Sequence, residues 1–141
     1  MSKHLLNKGE RYLAAALFNF AHHKFKTDYS HEKIKGGAGD LFVLPASFKG
    51  LDMRFCLISQ KGSMIINLFV EDQKTPIFAL LSANISPEGK NGFVQNKVLS
   101  VVKNEALSDF FEEFCSHYEI PELFLEQGSV TDLKIDHLKI A

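Results

Sequence analysis

The chain has 141 residues, of which 45% are hydrophobic and 23% charged, and its formal net charge is −1. This composition excludes disorder over most of the chain, collagen-like repeats and a transmembrane helix of about 20 apolar residues. The near-zero net charge also excludes a strongly basic, chain-wide surface for nucleic acid. We therefore expect a single globular domain over residues 1–141.

The N-terminal segment is typical of a long helix. Asn7 to Glu10 resembles a capping box, and alanine, leucine and phenylalanine follow until about Lys26. The basic start and the apolar run also resemble a signal peptide, but Glu10 and Asn19 interrupt that pattern. The apolar arc spans roughly 200°, which is wider than a surface helix needs. We expect a helix that is deeply packed or covered on a second side by another chain.

The middle of the chain predicts a loop over 27–40 and then a run of antiparallel strands. The predicted strands are 41–44, 52–59, 63–71, 76–83 and, less distinctly, 93–102. Pro45 is expected to stop the first of them, and Gly62 to supply a left-handed residue in the hairpin between the second and third.

Both faces of this predicted sheet are apolar. Met64, Ile66, Leu68 and Val70 alternate along one face, and the notable residues expected on the reverse are Ile65, Phe69, Phe78 and Leu80. A sheet with one face in water alternates between apolar and polar residues. Something should therefore cover each face, and the candidates are the C-terminal strands or another protomer.

The clearest element is an amphipathic helix near 104–120. Asn104 is a suitable N-cap and Pro121 ends the helix. The residues that share its apolar arc are Leu107, Phe110, Phe111, Phe114, Cys115 and Tyr118. Two short strands are predicted to follow, at 123–126 and 130–135. The fold class is therefore α+β, with an antiparallel sheet of about four to six strands packed with the long N-terminal helix and this second helix.

No motif in the sequence assigns a chemistry. Cys56 and Cys115 belong to different elements and form no Cys-x-x-Cys pair, so we expect no metal site, no cofactor and a reducing, cytoplasmic location. The glycine-rich stretch 35–40 lacks the ending of a phosphate-binding loop. A few lysines near Phe25 and Tyr29 do not amount to a nucleic-acid site. We therefore expect no catalytic residue and no enzyme.

The charge is divided unevenly along the chain. Residues 1–103 carry a net +6 and residues 104–141 a net −7, with no Lys or Arg between Asn104 and Asp132. The acidic residues assigned to the polar side of the second helix form a predicted acidic ridge: Glu105, Asp109, Glu112, Glu113 and Glu119. Such a ridge is typical of a solvated helix face, of attraction between the two halves of one fold, or of a surface that binds a cationic partner.

These features favour a protein-binding module. The leading hypothesis is an inhibitor or immunity-type protein that neutralises a cationic toxin domain by electrostatic docking and steric occlusion. One alternative is a chaperone for a secreted protein, in which the doubly apolar sheet accepts an extended client or forms a homodimer. The other is a small enzyme with a pocket between sheet and helices, where His22, His31 and Cys56 are the residues to test.

Overall fold

The computed structural model describes residues 12–84, 94–102, 104–118 and 132–134. The elements in chain order are α1 (Leu13–Phe25), β1 (Ser30–Ile34), β2 (Gly39–Phe48), β3 (Leu51–Gln60), β4 (Ser63–Val70), β5 (Phe78–Asn84), β6 (Val94–Val101), α2 (Glu105–Tyr118) and β7 (Asp132–Lys134). The strands form one antiparallel sheet in the order β1-β2-β3-β4-β5-β6-β7. This confirms the α+β class: β1–β6 supply six strands and the three-residue β7 extends one edge.

Both helices pack on the same face of the sheet, which we call the inner face. Its core residues alternate along the strands, as Phe55 and Leu57 do in β3 and Ile66 and Leu68 in β4. The Phe110 ring of α2 contacts Phe55, with ring centroids 5.3 Å apart. The sheet, α1 and α2 thus enclose one apolar core, as two-layer packing requires.

The broad apolar arc of α1 is explained by this packing. Its buried residues are Leu13, Ala14, Ala16, Leu17, Phe18 and Ala21. α1 lies across β2–β5, and its Phe20 ring meets Phe110 and Phe114 of α2 at 5.5 and 5.4 Å. The predicted deep packing of α1 is confirmed, whereas the proposed capping box at Asn7 lies outside the described residues.

Two sequence predictions for the first strands are wrong. Residues 30–34, predicted as loop, form the edge strand β1, and β2 continues through Pro45 to Phe48. Pro45 is tolerated because the β1 pairing ends at Ser30 opposite Val43, so no strand of the described residues pairs with Pro45 on that side. The β3–β4 hairpin is as predicted, with Gly62 at φ +80°.

The predicted covering of the second sheet face by C-terminal strands is also wrong for the strand that the structure describes. β7 pairs with β6, with Gln95 opposite Lys134, and so extends the sheet at its edge. The predicted strand at 123–126 lies outside the described residues. Over the described ranges, no helix is long and apolar enough to cross a membrane.

Candidate protein-binding site

The second helix is anchored through one fully buried side. Asn104 caps it as predicted, because the Asn104 Oδ1 accepts a 3.2 Å hydrogen bond from the Leu107 N–H. The residues at its buried positions are Leu107, Phe110, Phe111, Phe114 and Cys115, none more than 2% exposed. The opposite side of α2 is therefore presented on a rigid base.

That opposite side carries the predicted acidic ridge. Glu105, Glu112 and Glu113 are exposed and Asp109 is partly exposed, while Glu119 lies outside the described residues. The structure therefore places four of the five predicted carboxylates on the side of α2 that faces away from the core.

Two of these carboxylates form ion pairs with lysines of the first half of the chain. The Lys24 Nζ of α1 lies 2.9 Å from Glu113, and Lys49, in the turn between β2 and β3, pairs with Asp109. The hydrogen bond that Lys49 donates to the Asp109 carboxylate raises the pKa of Lys49. These contacts tie α2 to its neighbours, and they halve the formal charge of the described ridge.

The other two carboxylates form no close ion pair, although Lys49 attracts Glu105 at longer range. In the described part of the chain, neither Glu105 nor Glu112 has an ion-pair partner within 4.0 Å. They lie seven positions apart, about two helical turns, and so face the same way. A cationic partner would meet this pair first.

A groove of about 350 Å³ runs beside the ridge, between α1 and α2. It is lined by Phe20, His23, Lys24, Glu113 and His117. The Phe20 ring packs 5.5 Å from the His117 ring, which gives the groove an apolar side next to the Lys24–Glu113 ion pair. Sequence reasoning missed this groove, because its residues come from two helices whose pairing no local pattern specifies.

The residues proposed for an enzyme do not converge. His22 and His31 both lie on the helix side, where the His22 ring packs against Tyr29 and the His31 ring stacks on Phe42 at 4.6 Å. Cys56 lies on the opposite face of the sheet. Among the described residues, no group of three or more His, Cys, Asp or Glu is placed to hold a metal ion.

His31 instead belongs to a small charged cluster at the sheet edge. Its Nε2 lies 2.8 Å from Asp40, which also pairs with Lys33 at 3.1 Å. The hydrogen bonds from His31 and then Lys33 lower the pKa of Asp40 below its ordinary value of 3.8. Because the pKa of Asp40 is lower in the folded state, its ionised carboxylate stabilises the fold at pH values above the ordinary pKa of 3.8. This stabilisation is lost as the pH falls through the folded-state pKa.

We therefore expect Asp40→Asn to lower the Tm at neutral pH, and this difference from wild type to shrink as the pH falls below 3.8. Thermal unfolding followed by circular dichroism over a pH series measures it. The control is Asp72→Asn in an exposed turn. A Tm difference for Asp40→Asn that stays constant down to the lowest pH would contradict the assigned pairing.

The second sheet face, which we call the outer face, is apolar at its centre. In register across β2–β5 lie Leu41, Ile58, Ile65 and Leu81, all partly exposed. Neither helix packs on this face. Ile65 points to the outer face as predicted.

The assignment of Phe78 and Leu80 to the outer face is wrong. Leu68 lies opposite Phe78 and Ile66 opposite Leu80, so both belong to the inner face and are fully buried there. Of the two phenylalanines predicted on the outer face, Phe69 does lie there. The Arg54 guanidinium lies 5.2 Å from the centroid of its ring.

Comparison with known proteins adds no relative to this description. No protein-family model matches the chain, and no curated protein or solved structure does either.

Proposed function

We propose that the chain is a protein-binding module of the inhibitor or immunity type, and that it covers a cationic surface of its partner with the outward side of α2. The observation that carries the proposal is the pair Glu105 and Glu112, exposed and without an ion pair in the described part of the chain, on a helix whose other side is buried. A rigid base lets binding proceed with little ordering cost.

The groove beside α2 supports the same surface. A long cationic side chain of the partner fits the 350 Å³ space between the helices, against Phe20 and next to Glu113. There it would replace Lys24 at the Glu113 carboxylate. Opposite charges speed the encounter, and occlusion of the partner's working surface then follows from the bulk of the domain.

The internal lysines limit how much of this binding is electrostatic. Lys24 and Lys49 already neutralise Glu113 and Asp109, so a partner meets a net charge of about −2 from the four described carboxylates. Salt should therefore slow association without abolishing the complex, because the remaining contacts are steric and apolar.

A second candidate is a chaperone for a secreted protein. The outer face favours it, since Leu41, Ile58, Ile65 and Leu81 form an apolar row that neither helix covers. An extended apolar client would lie on this row instead of on α2.

The proposal assigns no catalytic residue and no cofactor. Its cytoplasmic location is supported by the cysteine usage, since the chain has two cysteines, in β3 and α2, and no disulfide framework.

Site-specific photocrosslinking in the native cell tests both candidates. A photoreactive residue is placed at Ser116, one turn after Glu112 on the exposed side of α2, at Ile65 on the outer face, or at Lys61 in an exposed turn as the control. We expect a discrete adduct from position 116, with a second component that peptide mass spectrometry identifies as a basic protein. Glu105→Lys should remove this adduct, and the matched reversal Glu71→Lys at the end of β4 should leave it.

Two outcomes would count against docking through α2. An adduct from position 116 that is no stronger than that from position 61, or one that Glu105→Lys leaves unchanged, contradicts it. A different polypeptide captured at position 65 and absent from position 116 favours the chaperone instead.

A further inference from the structure

One row of the outer face is ordered by charge. Across β1–β6, the cross-strand neighbours are Glu32, Leu41, Ile58, Ile65, Leu81 and Lys97, and Asp132 of the edge strand β7 follows Lys97. Four aliphatic side chains thus separate an exposed acid at the β1 edge from a partly exposed base on β6. At a strand spacing of about 4.8 Å, the two charges lie roughly 24 Å apart.

We propose that the outer face is the interface of a homodimer, in which a second copy of this chain packs face to face about a two-fold axis parallel to the strands. Such an axis reverses the row, so that Glu32 faces Lys97 of the second copy and Lys97 faces Glu32. Ile58 then lies opposite Ile65 of the second copy, and Leu41 opposite Leu81.

The charges at the two ends of the six-strand row, Glu32 and Lys97, favour this arrangement over the other face-to-face one. A two-fold axis along the row would place Glu32 against Glu32 and Lys97 against Lys97, which costs free energy by like-charge repulsion. The axis parallel to the strands instead forms two opposite-charge pairs, one at each end of the apolar contact. Sheets packed in this way lie about 10 Å apart, with strands rotated by roughly 30°.

The neighbouring rows fit the same axis. The next row contains Val43, Cys56, Asn67 and Ala79, none of them charged. In the third row, Arg54 stacks on Phe69 within the chain, and reversal brings Arg54 to Phe69 of the second copy. These three rows therefore contain no carboxylate between β2 and β5, and the exposed Asp52 of β3 lies in the next row, toward the end of the interface.

The area is sufficient for a stable dimer. Six strands at about 4.8 Å spacing, each contributing some 20 to 25 Å of length, present roughly 600 to 700 Å² per copy. Both copies together would bury roughly 1,200 to 1,400 Å², which lies within the range of specific interfaces. The sheets would then lie at the centre of the dimer and each α2 on its outside, so dimerisation leaves the surface in the proposed function free.

A charge-swap cycle on the purified full chain tests the proposal. We expect sedimentation equilibrium to give a dimer for the wild type. Glu32→Lys or Lys97→Glu alone should raise the dimer Kd about fivefold to tenfold, since each removes two symmetric surface pairs. The double variant should restore the wild-type Kd.

A variant in the apolar part of the row and a chemical readout test the dimer without relying on the Glu32–Lys97 pairs. Ile65→Asp, at the centre of the row, should give a folded monomer by circular dichroism and sedimentation, whereas Lys61→Glu in the nearby turn should stay dimeric. Cys56 lies on the same face, so its alkylation should be faster in the Ile65→Asp monomer. Asp132 lies opposite Lys97 in β7, and Asp132→Asn should leave the coupling between positions 32 and 97 unchanged.

The proposal is overturned by a monomeric wild type, by a dimer that survives Ile65→Asp, or by a double charge swap that does not restore dimerisation. A monomer would mean that another occupant, such as a terminal segment of the same chain, covers the outer face. These outcomes are separate from crosslinking at position 116 of α2, so the dimer and the proposed function are tested independently.

Discussion

Replacing Phe110 by alanine is expected to lower the free energy of unfolding by about 3 to 5 kcal/mol, the usual range for a fully buried phenylalanine. Phe110 is 0% exposed and lies where both helices meet the sheet. Its ring lies within 5.3 to 6.3 Å, centroid to centroid, of five others: Phe20, Phe25, Phe48, Phe55 and Phe111. Truncation would leave a cavity that these rings, held by four separate elements, cannot readily fill.

Urea denaturation measures this loss as a lower midpoint at an unchanged slope. The control is Tyr29→Ala, which removes an aromatic ring that is 43% exposed. If Phe110→Ala does not fold, Phe110→Leu supplies a graded version with an expected loss of about 1 to 2 kcal/mol. A loss for Phe110→Ala no larger than that for Tyr29→Ala would contradict the central place of Phe110 in the core.

The second helix was predictable because its information is local. Positions 107, 110, 111, 114 and 115 repeat with the period of one helix, and Asn104 and Pro121 mark its ends. The structure buries the apolar positions and leaves the acidic ones outward. The lysine partners of Asp109 and Glu113 were not predictable, because Lys24 and Lys49 reach α2 only through tertiary packing.

The first strand was missed because it is an edge strand with little apolar burial. Ser30 to Lys33 are all exposed, so the sequence has no apolar alternation to reveal the strand. β1 forms because β2 offers it an unpaired edge, from Ser30 opposite Val43 to Ile34 opposite Gly39. That edge depends on the β2–β3 pairing, which no local window contains.

The prediction of the sheet face on which Phe78 and Leu80 lie was wrong for a related reason. Period-two alternation tells which residues of one strand share a face, but the turn before β5 decides which of the two faces that is. The structure places Phe78 opposite Leu68, and one residue of slip would have sent Phe78 outward. The amphipathic row from Glu32 to Lys97 likewise appears only when six strands are placed in register.

Replacing Asn96 by alanine is expected to cost about 2 to 3 kcal/mol, because it leaves a buried backbone N–H of α1 without its acceptor. The Asn96 Oδ1 accepts a 3.0 Å hydrogen bond from the Leu13 N–H and a 2.5 Å one from the Ser82 hydroxyl. The Ser82 Oγ in turn accepts from the Ala14 N–H at 3.0 Å. Tyr12, at the N-cap position, provides no side-chain cap, so these two sheet residues cap the helix.

Hydrogen exchange distinguishes this capping role from a general loss of packing. In Asn96→Ala, the amides of Leu13 and Ala14 should lose protection beyond the global destabilisation, and Ser82→Ala should act on Ala14 first. The control Asn19→Ala, on the exposed side of α1, should leave both amides protected. Ser82 and Asn96 are both 0% exposed, so in the folded protein these two amides depend on side-chain acceptors and not on bulk water. Equal protection of the two amides in wild type and Asn96→Ala would therefore mean that α1 is positioned by its apolar contacts alone.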